Sequence, residues 1–262
     1  MTTMPRLHGK RVIVTGAASG IGRATAAVMA AQGASVFAVD LDLDAAEQTA
    51  ARCAVAGVTA GAARCDVRVA GLVAELFGEA EEAFGGVVDV LANCAGIEIE
   101  LDLLEMGDDD WQSTIDTNVG GTFNTSGEFV RRVRVAGGRG AIVNIASINA
   151  FYADRAIPAY CASKGAVVAL TRAMALDHAR EGIRVNCVCP GYVDTPLLAA
   201  FLDKERDPAA ARRKAEEMHA LNRIGEPEEI GRVVAFLASD AASFVTGAAV
   251  VVDGGMTIGA VS

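Results

Sequence analysis

Apolar residues in this chain collect into short, often β-branched runs separated by longer stretches with helical spacing. The runs are Arg11–Thr15, Ser35–Val39, residues 59–65, Val88–Ala92, residues 140–147, Ile183–Val188 and Ala249–Val252. Patterns with a 3.6-residue period occupy residues 23–32, 43–56, 69–84, Asp109–Arg132, a helix opening near Pro158 that is apolar nearly all round from Ala162 to Leu176, and residues 227–238. Strand and helix therefore alternate, which predicts βαβ units with right-handed crossovers. The fold class is α/β: a Rossmann-like, doubly wound parallel sheet of seven strands with helices on both faces. No linker divides the 262 residues, so a single domain spanning 1–262 is expected. The rhythm breaks once, at about 192–226, where two short helical pieces and a dense charge cluster follow the carboxyl end of a strand. Leu197, Leu198, Phe201, Leu202 and Met218 give this insertion an apolar face, so it reads as a lid over a site; a solvated surface excursion is the alternative. One side of the all-apolar helix faces the sheet, and the other predicts a second subunit, hence a homo-oligomer, dimer or tetramer.

Composition narrows the partners. Hydrophobic residues make up 52% and aromatics 5%, a core of Ala, Val, Ile and Leu that suits helices packed on a buried parallel sheet. A net charge of −10 argues against nucleic acid or an anionic membrane surface and leaves a small molecule as the partner. The N-terminal MTTMPRLHGKR has no apolar core resembling a leader, and no apolar run reaches the roughly 18 residues that span a bilayer. The six cysteines form no CxxC pair, and the three histidines lie at no metal-ligand spacing from them, so no metal site is expected. Cys187 and Cys189 share one strand face as small buried groups. A soluble protein of the reducing cytoplasm follows.

Candidate chemistry begins where the first strand turns into Gly16-Ala17-Ala18-Ser19-Gly20-Ile21-Gly22 and then a helix. Strand, glycine-rich turn and helix start form a pyrophosphate cradle, because backbone can approach the anion and the helix offers free N–H groups and a positive dipole end. The second strand ends in Asp40, about 20 residues on, where a carboxylate can accept both adenosine ribose hydroxyls and repel a 2′-phosphate. No arginine or lysine occurs in Gly16–Gly22 or at Leu41, so NAD is favoured over NADP; capping of the next helix is the competing reading of Asp40, although Asp42 can cap instead. Asp66 and Val67 end the third strand and can flank an adenine, and Asn93-Cys94-Ala95-Gly96 ends the fourth as either a ligand edge or a turn of small residues. Asn118 precedes a Gly120-Gly121 weak point in its helix, where its amide either braces a neighbouring loop or holds water.

Ser147 stands at the end of the fifth strand, and Tyr160 and Lys164 lie four residues apart, on one helix face. An ammonium beside a phenol favours the phenolate and is expected to lower the tyrosine pKa toward a range useful for proton transfer, while the serine holds a substrate oxygen against it.

These pieces, with Pro190-Gly191, Arg223-Ile224-Gly225-Glu226-Pro227, Val245-Thr246-Gly247 and Val252-Asp253-Gly254-Gly255, run in an order that resembles the short-chain dehydrogenase/reductase family over nearly the whole chain. The resemblance implies that Tyr160 is the acid/base, that Lys164 lowers its pKa and holds the nicotinamide ribose, that Ser147 orients the carbonyl or hydroxyl, and that Asn118 anchors a water relay to the lysine. It places Gly16, Ser19, Gly20, Ile21 and Gly22 on the pyrophosphate, Asp40 on the ribose, Asp66 and Val67 at the adenine, Asn93 and Gly96 beside the cofactor, and Pro190, Gly191, Val193 and Thr195 at its nicotinamide end. Cys94 departs from the family's NNAG pattern, from which a local packing change is expected. The implied function is an NAD-dependent alcohol dehydrogenase or carbonyl reductase that moves a hydride between a secondary alcohol, or its ketone, and the nicotinamide. A non-catalytic NAD-binding regulatory protein and an NADP-dependent ketone reductase are the alternatives. Glu98, Asn149, Ile157 and Tyr192 flank the motifs as candidate substrate contacts, with Phe151, Tyr152 and Asp154 beside them; their mixture favours a polar substrate.

Overall fold

The computed structural model describes residues 7–54 and 58–259. The first six residues, part of the N-terminal stretch, and residues 55–57, at the expected end of the second helix, lie outside the described residues. Seven strands, β1 (Arg11–Thr15), β2 (Ser35–Asp40), β3 (Ala60–Arg64), β4 (Val90–Asn93), β5 (Gly140–Ile145), β6 (Ile183–Pro190) and β7 (Ala249–Val252), form one parallel sheet in the order β3-β2-β1-β4-β5-β6-β7. Strand order reverses between β1 and β4, and this switch point opens a crevice at the carboxyl ends of the strands. Register sets Thr15 beside Asn93, and Asn93 beside Asn144, so the turns after β1, β4 and β5 emerge together at that crevice.

Alternation along each strand divides the core between two faces. Val12, Val14, Val36, Ala38, Ala92 and Val143 point to one face, against α1 (Gly20–Ala31), α2 (Leu43–Cys53) and α9 (Pro227–Ala238). Ile13, Phe37, Val39, Leu91, Ile142 and Val185 point to the other, against α3 (Ala70–Phe84), α5 (Gly121–Val135) and α6 (Pro158–His178). Both layers are dry, which is why the strands read as unbroken apolar runs. Arg184 on β6 is half-buried yet fully used: its guanidinium donates to the carbonyls of Leu237, Ala238, Ser239 and Val245, closing the orphaned C-terminal end of α9.

Local chemistry explains the helix starts. Asp42 accepts from the Ala45 N–H (3.0 Å) and caps α2, which leaves Asp40 free of that task. Helices α6, α7 (Pro196–Leu202), α8 (Pro208–Glu217) and α9 each carry proline at their first position, where no N–H is required. The long helix expected over 109–132 is found in three parts: α4 (Asp108–Ile115), a π turn (Asp116–Gly120) and α5. A helix weakened at Gly120-Gly121 widens there rather than ending. The fifth strand stops at Ile145, two residues before its expected end, because Ser147 is already the cap of a 3₁₀ turn over Ile148–Ala150. The insertion after β6 does contain two short helices, α7 and α8. Leu198, Leu202, Ala215 and Ile224 give them a small core of their own. No helix among the described residues is long and apolar enough to cross a membrane.

Candidate active site

Two cavities open at the carboxyl edge of the sheet, and Tyr160 lines both. The larger, about 700 Å³, runs from the glycine turn past Asp40, Asp66 and Val67 to Gly96 and Lys164. The smaller lies between Ser147, Tyr160, Pro190 and the insertion helix α7. Ile21, Ile145, Thr195 and Leu197 join Tyr160 in bounding both.

The start of α1 fits an anion. Ser19 gives no side-chain cap, the first turn holds no acidic residue, and the N–H groups of Gly20, Ile21 and Gly22 meet no acceptor among the described residues. Asp40 faces the same cleft. Its carboxylate accepts from the Ala18 N–H (2.9 Å) and the Asp42 N–H (3.2 Å), which holds it at the rim with lone pairs to spare for hydroxyl groups. A cleft lined by uncapped N–H groups, a fixed carboxylate and a buried lysine matches a dinucleotide in chemistry. One cation escapes the sequence reading: Arg68 also lines the cleft, where three of its hydrogen bonds, the shortest 2.6 Å, go to Asp66 and lower that carboxyl's pKa.

Of the residues expected around a cofactor, Gly16, Ser19, Gly20, Ile21, Gly22, Asp40, Asp66, Val67, Gly96, Tyr160, Lys164 and Thr195 line this cleft. Pro190, Gly191 and Val193 line the smaller cavity instead. Asn93 lines neither. Its amide donates to Ser126 Oγ (3.0 Å) and Asn144 Oδ1 (2.9 Å) and accepts from Thr125 Oγ1 (2.8 Å), so it ties β4 to β5 and α5 from within the core. Leu41, Cys65, Ser113, Thr117 and Ala200 also line the cleft. No motif marks Ser113 or Thr117; they arrive because the α4–α5 helix packs across the sheet edge. Cys94 faces the cleft too, its thiol pushed up to about 12 by burial, while its N–H donates to Thr15 Oγ1.

Asn118, in the π turn and buried, braces the loop after β4. Its Oδ1 accepts from the Ile97 N–H (2.8 Å), and its Nδ2 donates to the Ile97 carbonyl and to Ser163 Oγ, both at 2.9 Å. The side chain braces the loop with both amide hydrogens and one lone pair of Oδ1, which leaves that oxygen one further acceptor position. Gly96 is held in the same knot, since a Cβ there would stand 3.1 Å from Asn118 Oδ1 and 3.4 Å from Lys164 Nζ.

At the junction, Lys164 Nζ donates to the Ile145 carbonyl (2.9 Å) and lies 5.3 Å from the centroid of the Tyr160 ring. Burial lowers the lysine pKa to about 8. The tyrosine corrects a sequence-based expectation: its pKa is raised rather than lowered. Burial penalises the phenolate first and the nearby Glu98 charge second, and the neighbouring Ser147 hydroxyl only partly opposes them, while the ammonium is spent on the Ile145 carbonyl. The phenol is therefore held neutral, as a proton donor. Ser147 Oγ donates to Asn149 Oδ1 (2.9 Å) and accepts from the Asn149 N–H (3.1 Å), which fixes the hydroxyl at the cavity wall.

All four candidate substrate residues, Glu98, Asn149, Ile157 and Tyr192, line the smaller cavity, as does Asp154, whose carboxylate accepts from the Tyr192 hydroxyl (3.0 Å). Phe151 and Tyr152 point to solvent and do not line it. From the insertion, Leu197, Leu198 and Phe201 form its apolar wall; Met218 does not.

The chain is similar to known dehydrogenases and reductases. The family model described as Enoyl-(Acyl carrier protein) reductase matches residues 16–257. A (3R)-3-hydroxyacyl-CoA dehydrogenase from Mus musculus is 37% identical over 263 residues, covering 98% of this chain and 99% of its own. A meso-2,3-butanediol dehydrogenase from Serratia marcescens is 39% identical over 252 residues, 96% of each chain. A cyclohexanol dehydrogenase from an Acinetobacter species is 38% identical over 253 residues, again 96% of each.

Proposed function

The chain belongs to the short-chain dehydrogenase/reductase family and is an oxidoreductase, and from that premise we propose that it interconverts a secondary alcohol and its ketone with NAD as the hydride partner. The observation that carries this reading is the position of Tyr160, where a dinucleotide-shaped cleft meets a small substrate cavity. NAD, when bound, supplies the hydride acceptor in oxidation and, reduced, the donor in reduction.

The chain's own residues bind, orient and protonate. The α1 N–H groups would hold the pyrophosphate and Asp40 the adenosine ribose, and Lys164, which lines the same cleft, would meet the hydroxyls of the nicotinamide ribose. Ser147, already oriented by Asn149, and the Tyr160 phenol converge on one substrate oxygen. During reduction the neutral phenol gives its proton to that oxygen as negative charge develops, and Ser147 adds a second bond only by turning its hydroxyl proton away from Asn149. Oxidation is the reverse: Tyr160 must first give up its own proton, and the phenolate then takes the hydroxyl proton as hydride leaves the carbinol carbon, so the raised pKa favours the reductive direction at neutral pH and oxidation should speed up as pH rises. The relatives that act on butanediol and cyclohexanol by name support an alcohol substrate. Helices α7 and α8 would act as the lid on a single catalytic domain, since Leu197, Leu198 and Phe201 already roof the smaller cavity. The chain would work as a cytoplasmic homo-oligomer, covering exposed apolar residues such as Phe123 and Leu176; light scattering should then give a multiple of the 26.9 kDa monomer mass.

Cofactor choice is tested at Asp40. Steady-state assays should show NAD preferred in the parent, and Asp40→Ala should shift the NAD/NADP ratio of kcat/KM by about tenfold or more toward NADP, as loss of one charged contact requires. Arg68 gives a specific reason to weigh NADP as the second reading, because it could turn from Asp66 to a 2′-phosphate. A parent that prefers NADP would establish that reading instead.

A further inference from the structure

One carboxylate of the smaller cavity accepts no hydrogen bond from any described residue. Ser147 and Asn149 satisfy each other, the Asn149 amide donates to the Tyr152 carbonyl (3.1 Å), and Tyr192 donates to Asp154. Two residues beyond Glu98, Glu100 pairs with Lys204 (3.0 Å). Glu98 itself makes no hydrogen bond or ion pair with any described residue, although its carboxylate lines the cavity beside Ile157 and Phe201. Burial, then the neighbouring Glu100 and Asp154 charges, raise its pKa to about 7. A half-buried carboxylate beside apolar walls gives up water without gaining a partner, a cost that a donor brought by the ligand would recover.

Resting on the reading of this cavity as the site of alcohol oxidation, we propose that Glu98 is a specificity-determining residue that accepts a hydrogen bond from a second hydroxyl group, so that the preferred substrates are small diols and polyols. Size agrees with this. The cavity takes about 100 Å³, room for roughly seven to ten water-sized groups, which suits a short chain or a single ring. Charge agrees as well, because Glu98 and Asp154 face the cavity while Lys164 is turned to the Ile145 carbonyl, an arrangement that disfavours an anionic substrate. Ser147 and Tyr160 take the reacting oxygen, and Glu98 takes the hydroxyl on a neighbouring carbon.

The test compares kcat/KM for two matched pairs, 2,3-butanediol against 2-butanol and 1,2-cyclohexanediol against cyclohexanol, each with NAD. The parent should favour the diol by about tenfold or more, the value of one hydrogen bond to a charged acceptor. Glu98→Ala should collapse that diol-to-mono-alcohol ratio about tenfold, whatever change in rate the two substrates share. Glu98→Gln, which keeps an acceptor oxygen, should restore most of it. A ratio that is the same in parent and Glu98→Ala, or that Glu98→Gln leaves as low as Glu98→Ala, overturns the proposal while alcohol oxidation stands. A parent that oxidises neither member of either pair overturns both together.

Discussion

Replacing Tyr160 by phenylalanine is expected to lower kcat by about a thousandfold or more in either direction, while NADH still binds within about threefold of the parent affinity. The ring stays, and with it the packing that closes the floor of the substrate cavity; only the hydroxyl is lost. That hydroxyl belongs to a residue that lines both cavities, and the neighbouring hydroxyl and ammonium donors are already engaged. Ser147 donates to Asn149, Tyr192 donates to Asp154, and the Lys164 ammonium is held by the Ile145 carbonyl. None of these three can replace the phenol without breaking a bond that holds it; the unengaged acid in the cavity is Glu98, its pKa raised to about 7. Steady-state turnover and a fluorescence titration with NADH read the two quantities separately. A variant within tenfold of the parent kcat would show that the proton comes from elsewhere.

Gly22→Ala should damage both stability and cofactor binding. In a helix interior the change to alanine ordinarily gains about 1 kcal/mol. Here a Cβ would stand 2.0 Å from the Gly16 carbonyl oxygen and 3.2 Å from the Ala17 Cα, both backbone atoms. The turn has nowhere to retreat, because Gly16 already adopts a φ of +65° with the Ala95 N–H side of the next turn pressed behind it. Steric overlap therefore outweighs propensity, and a net loss of about 2–3 kcal/mol is expected. In a chain of this size that corresponds to a melting temperature lower by roughly 4–12 °C. NADH affinity should fall more than tenfold, since the displaced turn carries the α1 N–H groups. Differential scanning fluorimetry and the same NADH titration measure the two effects; an unchanged or higher melting temperature would refute the packing account.

The sheet is legible in the sequence because it is dry on both faces: continuous runs such as Val12 to Val14 and Ile142 to Val143 need no partner information to be read as buried strands. The glycine turn, Asp40 and the Tyr160–Lys164 pair are legible because their chemistry depends on spacing along one strand–helix unit. What depends on distant burial is not. The charge environment of Tyr160 is set by enclosure and by Glu98, 62 residues earlier, and spacing alone points to the opposite sign. Asn93 resembles a ligand-edge residue by position, but its amide is consumed by Ser126, Asn144 and Thr125, partners that only the folded sheet assembles. The glycine pair at 120–121 marks a weak helix without indicating that the chain widens into a π turn and turns Asn118 onto the Ile97 loop. Arg68 carries no motif, because its entry into the cleft depends on how β3 and α3 meet. That Glu98 has no partner among the described residues is visible only once Lys204, far along the chain, is seen to pair with Glu100.

Direct hydride transfer at the junction of the two cavities is the central claim, and following the transferred hydrogen itself tests it most directly. The parent protein is incubated with NAD and a secondary alcohol carrying deuterium on the carbinol carbon, and the recovered NADH is analysed by mass spectrometry and proton NMR. The expected result is one deuterium per NADH, on a single face of nicotinamide C4, with none lost to water. NADH formed without deuterium, or with deuterium on both faces, would contradict it.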